Sequence, residues 1–93
     1  MGPNAPRAAS FAASPNPFHD RLTFDLSDVP RGARLEILDV QGRVVRRWMA
    51  PLPAGFEWDG SADDGRPLDA GIYLARVSGA GYTATRRLIR VTR

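Results

Sequence analysis

Polar and apolar residues alternate most cleanly between Arg21 and Leu26. Leu22, Phe24 and Leu26 fall on one side, with Arg21, Thr23 and Asp25 on the other. A period of two sends successive side chains to opposite faces of a pleated backbone, so this segment predicts a half-buried strand. Arg34 to Val40 predicts a strand of another kind. Leu35 and Ile37 share one face and Leu38 and Val40 the other. Apolar residues on both faces suit a central strand, or one covered on both sides. Shorter runs complete the set: Ala8 to Ala13, Arg43 to about Trp48, Phe56 to Trp58, Ile72 to Ser78, and Tyr82 to Val91. Nowhere does a helix-period stretch carry caps at both ends.

The segments between these runs are turn formers. Ser14-Pro15-Asn16-Pro17 denies the backbone two donors and forces an extended or turning path. Gln41-Gly42 reads as a two-residue hairpin link, with Gly42 supplying the positive φ of a primed turn. Pro51 to Gly55, Asp59-Gly60, Asp63 to Pro67 and Gly79-Ala80-Gly81 punctuate the rest. Seven short strands separated by such turns predict an all-β, immunoglobulin-like antiparallel β-sandwich. The expected core is Leu22, Phe24, Leu35, Ile37, Trp58, Tyr73 and Ile89, in a monomer with no helix longer than a turn or two. At 93 residues the chain is long enough for one domain. The expected layout is a linker or tag remnant at 1–7 and the domain at 8–93.

Composition removes whole classes of chemistry. There is no cysteine, so disulfides, thiolate nucleophiles and cysteine zinc sites are excluded. All thirteen basic residues are arginine. Without lysine there is no Schiff base and no lysine isopeptide crosslink. No segment approaches the ~20 apolar residues of a membrane-spanning helix, so no membrane insertion is expected. The N-terminus lacks the apolar core of a signal peptide, so an exported form takes its signal from upstream on a larger protein. The net charge is +3, and the tail carries Arg86, Arg87, Arg90 and Arg93 with no acid after Asp69. A basic tail can meet nucleic acid, anionic lipid or lipopolysaccharide; a solvated strand face is the simpler reading.

The remaining candidates for chemistry are thin. His19 is the only histidine and has no cysteine or second histidine as co-ligand. Asp59, Asp63, Asp64 and Asp69 crowd one loop region, but their spacing does not fit a calcium loop, and turn formation accounts for them. Glu57 and Asp59 are spaced for one strand face, as in a glycosidase pair, yet no pocket is evident around them. Trp48, Phe56, Trp58, Tyr73 and Tyr82 offer a sugar platform or, more simply, core and cross-strand pairs. No catalytic residue, metal or cofactor is expected, and no nucleic acid partner.

The order of the turns says more than any single residue. Ser14-Pro15-Asn16-Pro17-Phe18 opens an alternating strand. Leu35 to Val45 then forms a strand, an Asp-x-x-Gly-Arg turn and a returning strand. Leu52-Pro53-Ala54-Gly55, Trp58-Asp59-Gly60, Asp63-Asp64-Gly65-Arg66-Pro67 and Gly71-Ile72-Tyr73 follow, and Thr85 to Ile89 closes the series. This order resembles the Ig-like domain of the flagellar hook-capping protein and the related C-terminal sorting domains of type IX secretion. The resemblance covers about residues 10–93. Two positions depart from its pattern: Leu38 stands in place of the usual tyrosine of the hairpin, and His19-Asp20 follows the phenylalanine.

The resemblance implies a seven-stranded sandwich behind a catalytic or adhesive module. It implies a non-catalytic C-terminal module that directs secretion or cell-surface attachment of a larger secreted protein, such as a polysaccharide-degrading enzyme. Its partners are then the outer-membrane secretion or attachment machinery, lipopolysaccharide, and an upstream cargo domain in the same polypeptide. The module reaches the outside or the cell surface through the periplasm. Two further readings stand beside it: a structural spacer in a flagellar or other extracellular assembly, and a carbohydrate-binding module. The last strand, which closes the chain at Arg93, is the expected recognition element, through Arg86, Arg87, Arg90 and Arg93 and free backbone groups. As exposed charges, Arg86, Arg90 and Arg93 are expected to contribute little to stability. Arg43 is expected to pair with Asp39 across the hairpin, and Trp58 to fill the space between the sheets.

Overall fold

A computed structural model describes residues 11–92. Seven strands appear in chain order: β1 (Ala12–Ser14), β2 (Leu22–Asp25), β3 (Arg34–Leu38), β4 (Val44–Trp48), β5 (Gly55–Trp58), β6 (Gly71–Gly79) and β7 (Tyr82–Arg90). They form a three-stranded sheet, β1-β2-β5, and a four-stranded sheet, β4-β3-β6-β7, antiparallel throughout. The expected all-β, Ig-like sandwich is what the chain forms. The described residues contain no helix. The expected first strand shrinks to Ala12–Ser14; Ala8 to Ser10 and the 1–7 linker lie outside the described residues.

The core follows the alternation. Leu22 and Phe24 of β2 are fully buried, as are Leu35 and Ile37 of β3, and Trp58 and Tyr73 are nearly so. These residues pack with Phe11, Phe18, Leu52, Val77 and Leu88 into one cluster. Burying each aromatic or aliphatic side chain stabilises the fold by about 1.5–3 kcal/mol. Ile89 does not belong there. Tyr73 pairs with Leu88, and Ile72 pairs with Ile89. Residues directly opposite across a ladder share a face, so Tyr73 carries Leu88 into the core and leaves Ile89 half-buried on the outer face.

The hairpins divide the turn chemistry differently from expectation. Between β3 and β4 the chain closes through Asp39 and Arg43, whose backbones bond at 2.9 Å, and Gly42 is the sole residue of that turn with positive φ. A primed turn over Gln41-Gly42 needs positive φ at its first residue, Gln41, which lacks it, so the link is a longer turn, and the register shifts at Ile37/Leu38. The primed turn lies instead between β6 and β7. There Ala80 and Gly81 both have positive φ, at 55° and 77°, and Gly79 pairs with Tyr82. The expected Asp39–Arg43 ion pair is present at 2.9 Å.

Candidate functional site

β7 lies at the edge of the four-stranded sheet, beside β6. An edge strand carries a row of backbone donors and acceptors with no strand to receive them. In β7 the residues with odd numbers turn these groups outward, because alternate residues bond alternate neighbours in an antiparallel ladder. The row is not uniformly open. The Asn16 side chain donates to the Arg87 carbonyl at 2.8 Å and accepts the Ile89 N–H at 2.9 Å. Phe18 then acts as a one-residue parallel strand: its N–H donates to the Ile89 carbonyl, and its carbonyl accepts the Val91 N–H, both at 2.9 Å. The Ser-Pro-Asn-Pro-Phe segment therefore closes the C-terminal half of the β7 edge. Proline suits this position, since an amide stands in for the missing backbone donors on either side. The Phe18 ring is fully buried against Trp58, with centroids 5.7 Å apart, and so anchors the closure in the core.

The N-terminal half differs. Among the described residues, no backbone or side-chain group bonds the edge-facing amides and carbonyls of Thr83 and Thr85. Among these residues β7 thus presents a short unpaired edge ending where Asn16 begins.

The tail arginines do not form one row. Even-numbered positions share the face of Leu88, so Arg86 and Arg90 turn inward while Arg87 turns out. The Arg86 Nε donates to the Phe11 carbonyl at 2.8 Å. Arg90 does more: it donates to the carbonyls of His19 at 2.9 Å, Gly60 at 2.9 Å and Leu68 at 3.0 Å. Its guanidinium lies 6.0 Å from the Phe18 ring centre. Gly60 has a φ of +80°, which favours a glycine there, and a Cβ would also stand 2.8 Å from that guanidinium. Arg90 joins three loops and is half-buried, so it is not the exposed charge expected there. Arg93 lies outside the described residues. Arg87 is exposed, and its side chain has no ion pair among the described residues.

The other candidates go to structural work. His19 is exposed in its loop, offering Arg90 its carbonyl. Asp59 accepts the Ser61 N–H and hydroxyl, and these bonds hold its carboxyl below the usual carboxylate range. That direction is wrong for the general acid of a glycosidase pair. Asp64 accepts the Arg66 N–H within its turn. Asp69 offers its carbonyl to the Tyr73 hydroxyl at 2.7 Å. Asp63 closes the opposite edge of the sheet: its carboxylate accepts the Arg47 N–H at 3.2 Å, and its own N–H donates to the Val45 carbonyl at 2.9 Å. Trp48 packs edge-on against Trp58, and the Arg46 guanidinium lies 4.9 Å from its ring centre. That cation covers the ring a sugar would need.

One group escaped the sequence reading. Glu36 of β3 is buried on the outer face of the sheet, where Arg76 donates to it at 2.8 Å, Arg47 at 3.3 Å, and Arg34 approaches to 3.7 Å. The Arg76 hydrogen bond, above all, holds its carboxyl below the ordinary value. The signal was a lone acid between Leu35 and Ile37 with Arg34 two residues before it.

Set against known proteins, residues 18–82 match the family model of the FlgD Ig-like domain. The fold resembles part of PorZ, an essential bacterial surface component of the type-IX secretion system of Porphyromonas gingivalis. The TM-score is 0.70 at 20% identity, over 87% of this chain and 11% of that one. It also resembles part of dimeric latent PorU from the same organism, with a TM-score of 0.64 at 22% identity, over 89% of this chain and 9% of that one. This chain spans about a tenth of either protein, and likeness at such identity speaks for the fold alone. No curated protein matches the chain.

Proposed function

The chain belongs to the FlgD Ig-like domain family, and from that premise we propose that it is a non-catalytic C-terminal module that delivers a larger secreted protein or holds it at the cell surface. The observation that carries this reading is the half-closed edge of β7. A strand fixed at one end by Asn16 and Phe18 and, among the described residues, unpaired at the other is suited to receive a partner's strand. The likeness to PorZ, itself a surface component of type-IX secretion, supports outer-membrane secretion or attachment machinery as the source of that strand. Lipopolysaccharide and the upstream cargo domain are the further partners of this reading, and its location is outside the cell or on its surface. Within β7, Arg87 supplies the outward charge, and Arg86 and Arg90 hold the strand in place.

The experiment is a fusion. The chain is placed behind a periplasmic reporter with its own signal peptide, in a bacterium that carries type IX secretion. The reading expects the reporter at the surface or in the medium. A reporter that stays in the periplasm, while the fused domain resists protease as a folded unit, overturns it.

A further inference from the structure

The outer face of the four-stranded sheet is not an ordinary solvated surface. By the ladder registers, Leu38, Leu74 and Arg87 form one row across β3, β6 and β7, and Ile72 and Ile89 form the next. Ile72 and Leu74 are exposed at 47% and 39%, side by side with Ile89 and Leu38 on one sheet face. Leu38 is buried, yet stands outside the core cluster, so what covers it is its own neighbours on this face. Beside these aliphatics lie the Glu36 carboxylate and the arginines Arg34, Arg47 and Arg76, each of the three guanidinium-bearing side chains 42–47% exposed. With Arg87, four arginines meet one carboxylate, leaving the face at +3.

We propose that this face, an aliphatic stripe of Leu38, Ile72, Leu74 and Ile89 bordered by Arg76 and Arg87, docks a polypeptide segment that alternates aliphatic and acidic side chains. The charge decides among occupants. A second copy would bring the same +3 face against itself, and like charges brought together on desolvation are costly. The chain's own residues 1–10 contain no acid and one arginine, so they do not complement it. An acidic partner does. Its carboxylates take the guanidinium forks that Glu36 leaves unfilled, since a planar guanidinium offers five donors and one carboxylate cannot occupy three of them. Its aliphatic side chains cover Leu74 and Ile72. Glu36 serves as the fixed centre that keeps the three arginines splayed across the surface and does not need to contact the partner. The proposal goes beyond the delivery role: the two share Arg87, but this one concerns the sheet face and not the β7 edge, and Leu74→Ser tests it apart from that residue.

The test is an amide-shift titration of the full chain by NMR. The probe is a short peptide of alternating leucine and glutamate pairs; the controls are the same peptide with lysine for glutamate, and phosphatidylcholine vesicles containing phosphatidylglycerol. The expected result is shifts at Ile72, Leu74, Arg76, Arg87 and Ile89 with the glutamate peptide and none with the lysine peptide. Leu74→Ser should weaken binding about tenfold, the equivalent of ~1.4 kcal/mol, as should Arg87→Glu made separately. Both positions are exposed, and unchanged thermal melts will verify the fold. No shift with the glutamate peptide, shifts elsewhere, or equal binding of both peptides overturns the proposal. Binding to the vesicles without binding to the peptide also overturns it, since the face would then read lipid headgroups. A dimer in sedimentation that loses its stability on Leu74→Ser would do so as well.

Discussion

The two edges of the four-stranded sheet solve one problem with unequal means. At β4, Asp63 caps the strand from a loop 16 residues away, through an exposed carboxylate and one backbone N–H. At β7, Asn16 and Phe18 cap the strand from 71–73 residues away, and the closure carries a fully buried ring and the Arg90 clamp with it. Both devices block the pairing that leads edge strands to aggregate. They differ in what their loss would do. The β4 cap is a local solvent-side contact, whereas the β7 cap ties the start of the domain to its last strand through the core. Among the described residues the β7 closure also stops short of Thr83 and Thr85, so the better anchored edge is the one they leave partly open.

The largest effect should come from the anchor. Phe18→Ala removes a ring packed on Trp58, and a loss of about 3–5 kcal/mol is expected in urea unfolding. A loss below ~1 kcal/mol would mean that the β7 closure is as superficial as the β4 one. Next come the clamps. Arg90→Gln withdraws donors from three carbonyls and should cost on the order of 1–2 kcal/mol, while Arg87→Gln should stay within about 0.5 kcal/mol of the unchanged chain. Equal melting temperatures for the two variants would return Arg90 to a solvated face.

The caps themselves sharpen the contrast. Asn16→Ala frees two β7 backbone groups and should lower stability by about 1–2 kcal/mol, against less than about 1 kcal/mol for Asp63→Ala. Parity between them would erase the distinction between the edges. The smallest effect is one of pH, and it falls on Glu36, which ties β3 first to Arg76 of β6 and then to Arg47 of β4. Its carboxyl is held below the ordinary 4.5. Folding therefore favours the ionised form, and that stability is complete above about pH 5 and lost as pH falls through the lowered folded value. The melting temperature should fall in that acid range, with a shallower fall in Glu36→Gln. The same slope in both would remove Glu36 from the account.

Much of this was legible in the sequence. The alternation of Leu22, Phe24 and Leu26, and the two-faced apolar run of β3, determine the sandwich and most of its core. The turn order carries the family. Register within β7 was not legible, because both parities of that strand hold an aliphatic residue and an arginine: Leu88 with Arg86, and Ile89 with Arg87. The Gly79–Tyr82 hairpin, whose primed turn lies at Ala80-Gly81, chooses between them. Asn16 was read as part of a turn between prolines, since nothing local reveals a backbone partner 71 residues away. Arg90 and Arg87 look alike in sequence and differ only in the face each receives.

The most direct test of delivery through the open edge is Thr85→Pro in the reporter fusion. Proline removes an edge-facing N–H that no described residue uses, and edge strands tolerate it at such positions. The account predicts a folded domain, with the reporter retained in the periplasm because a partner's strand can no longer pair there. Normal surface delivery of a folded Thr85→Pro fusion would contradict it.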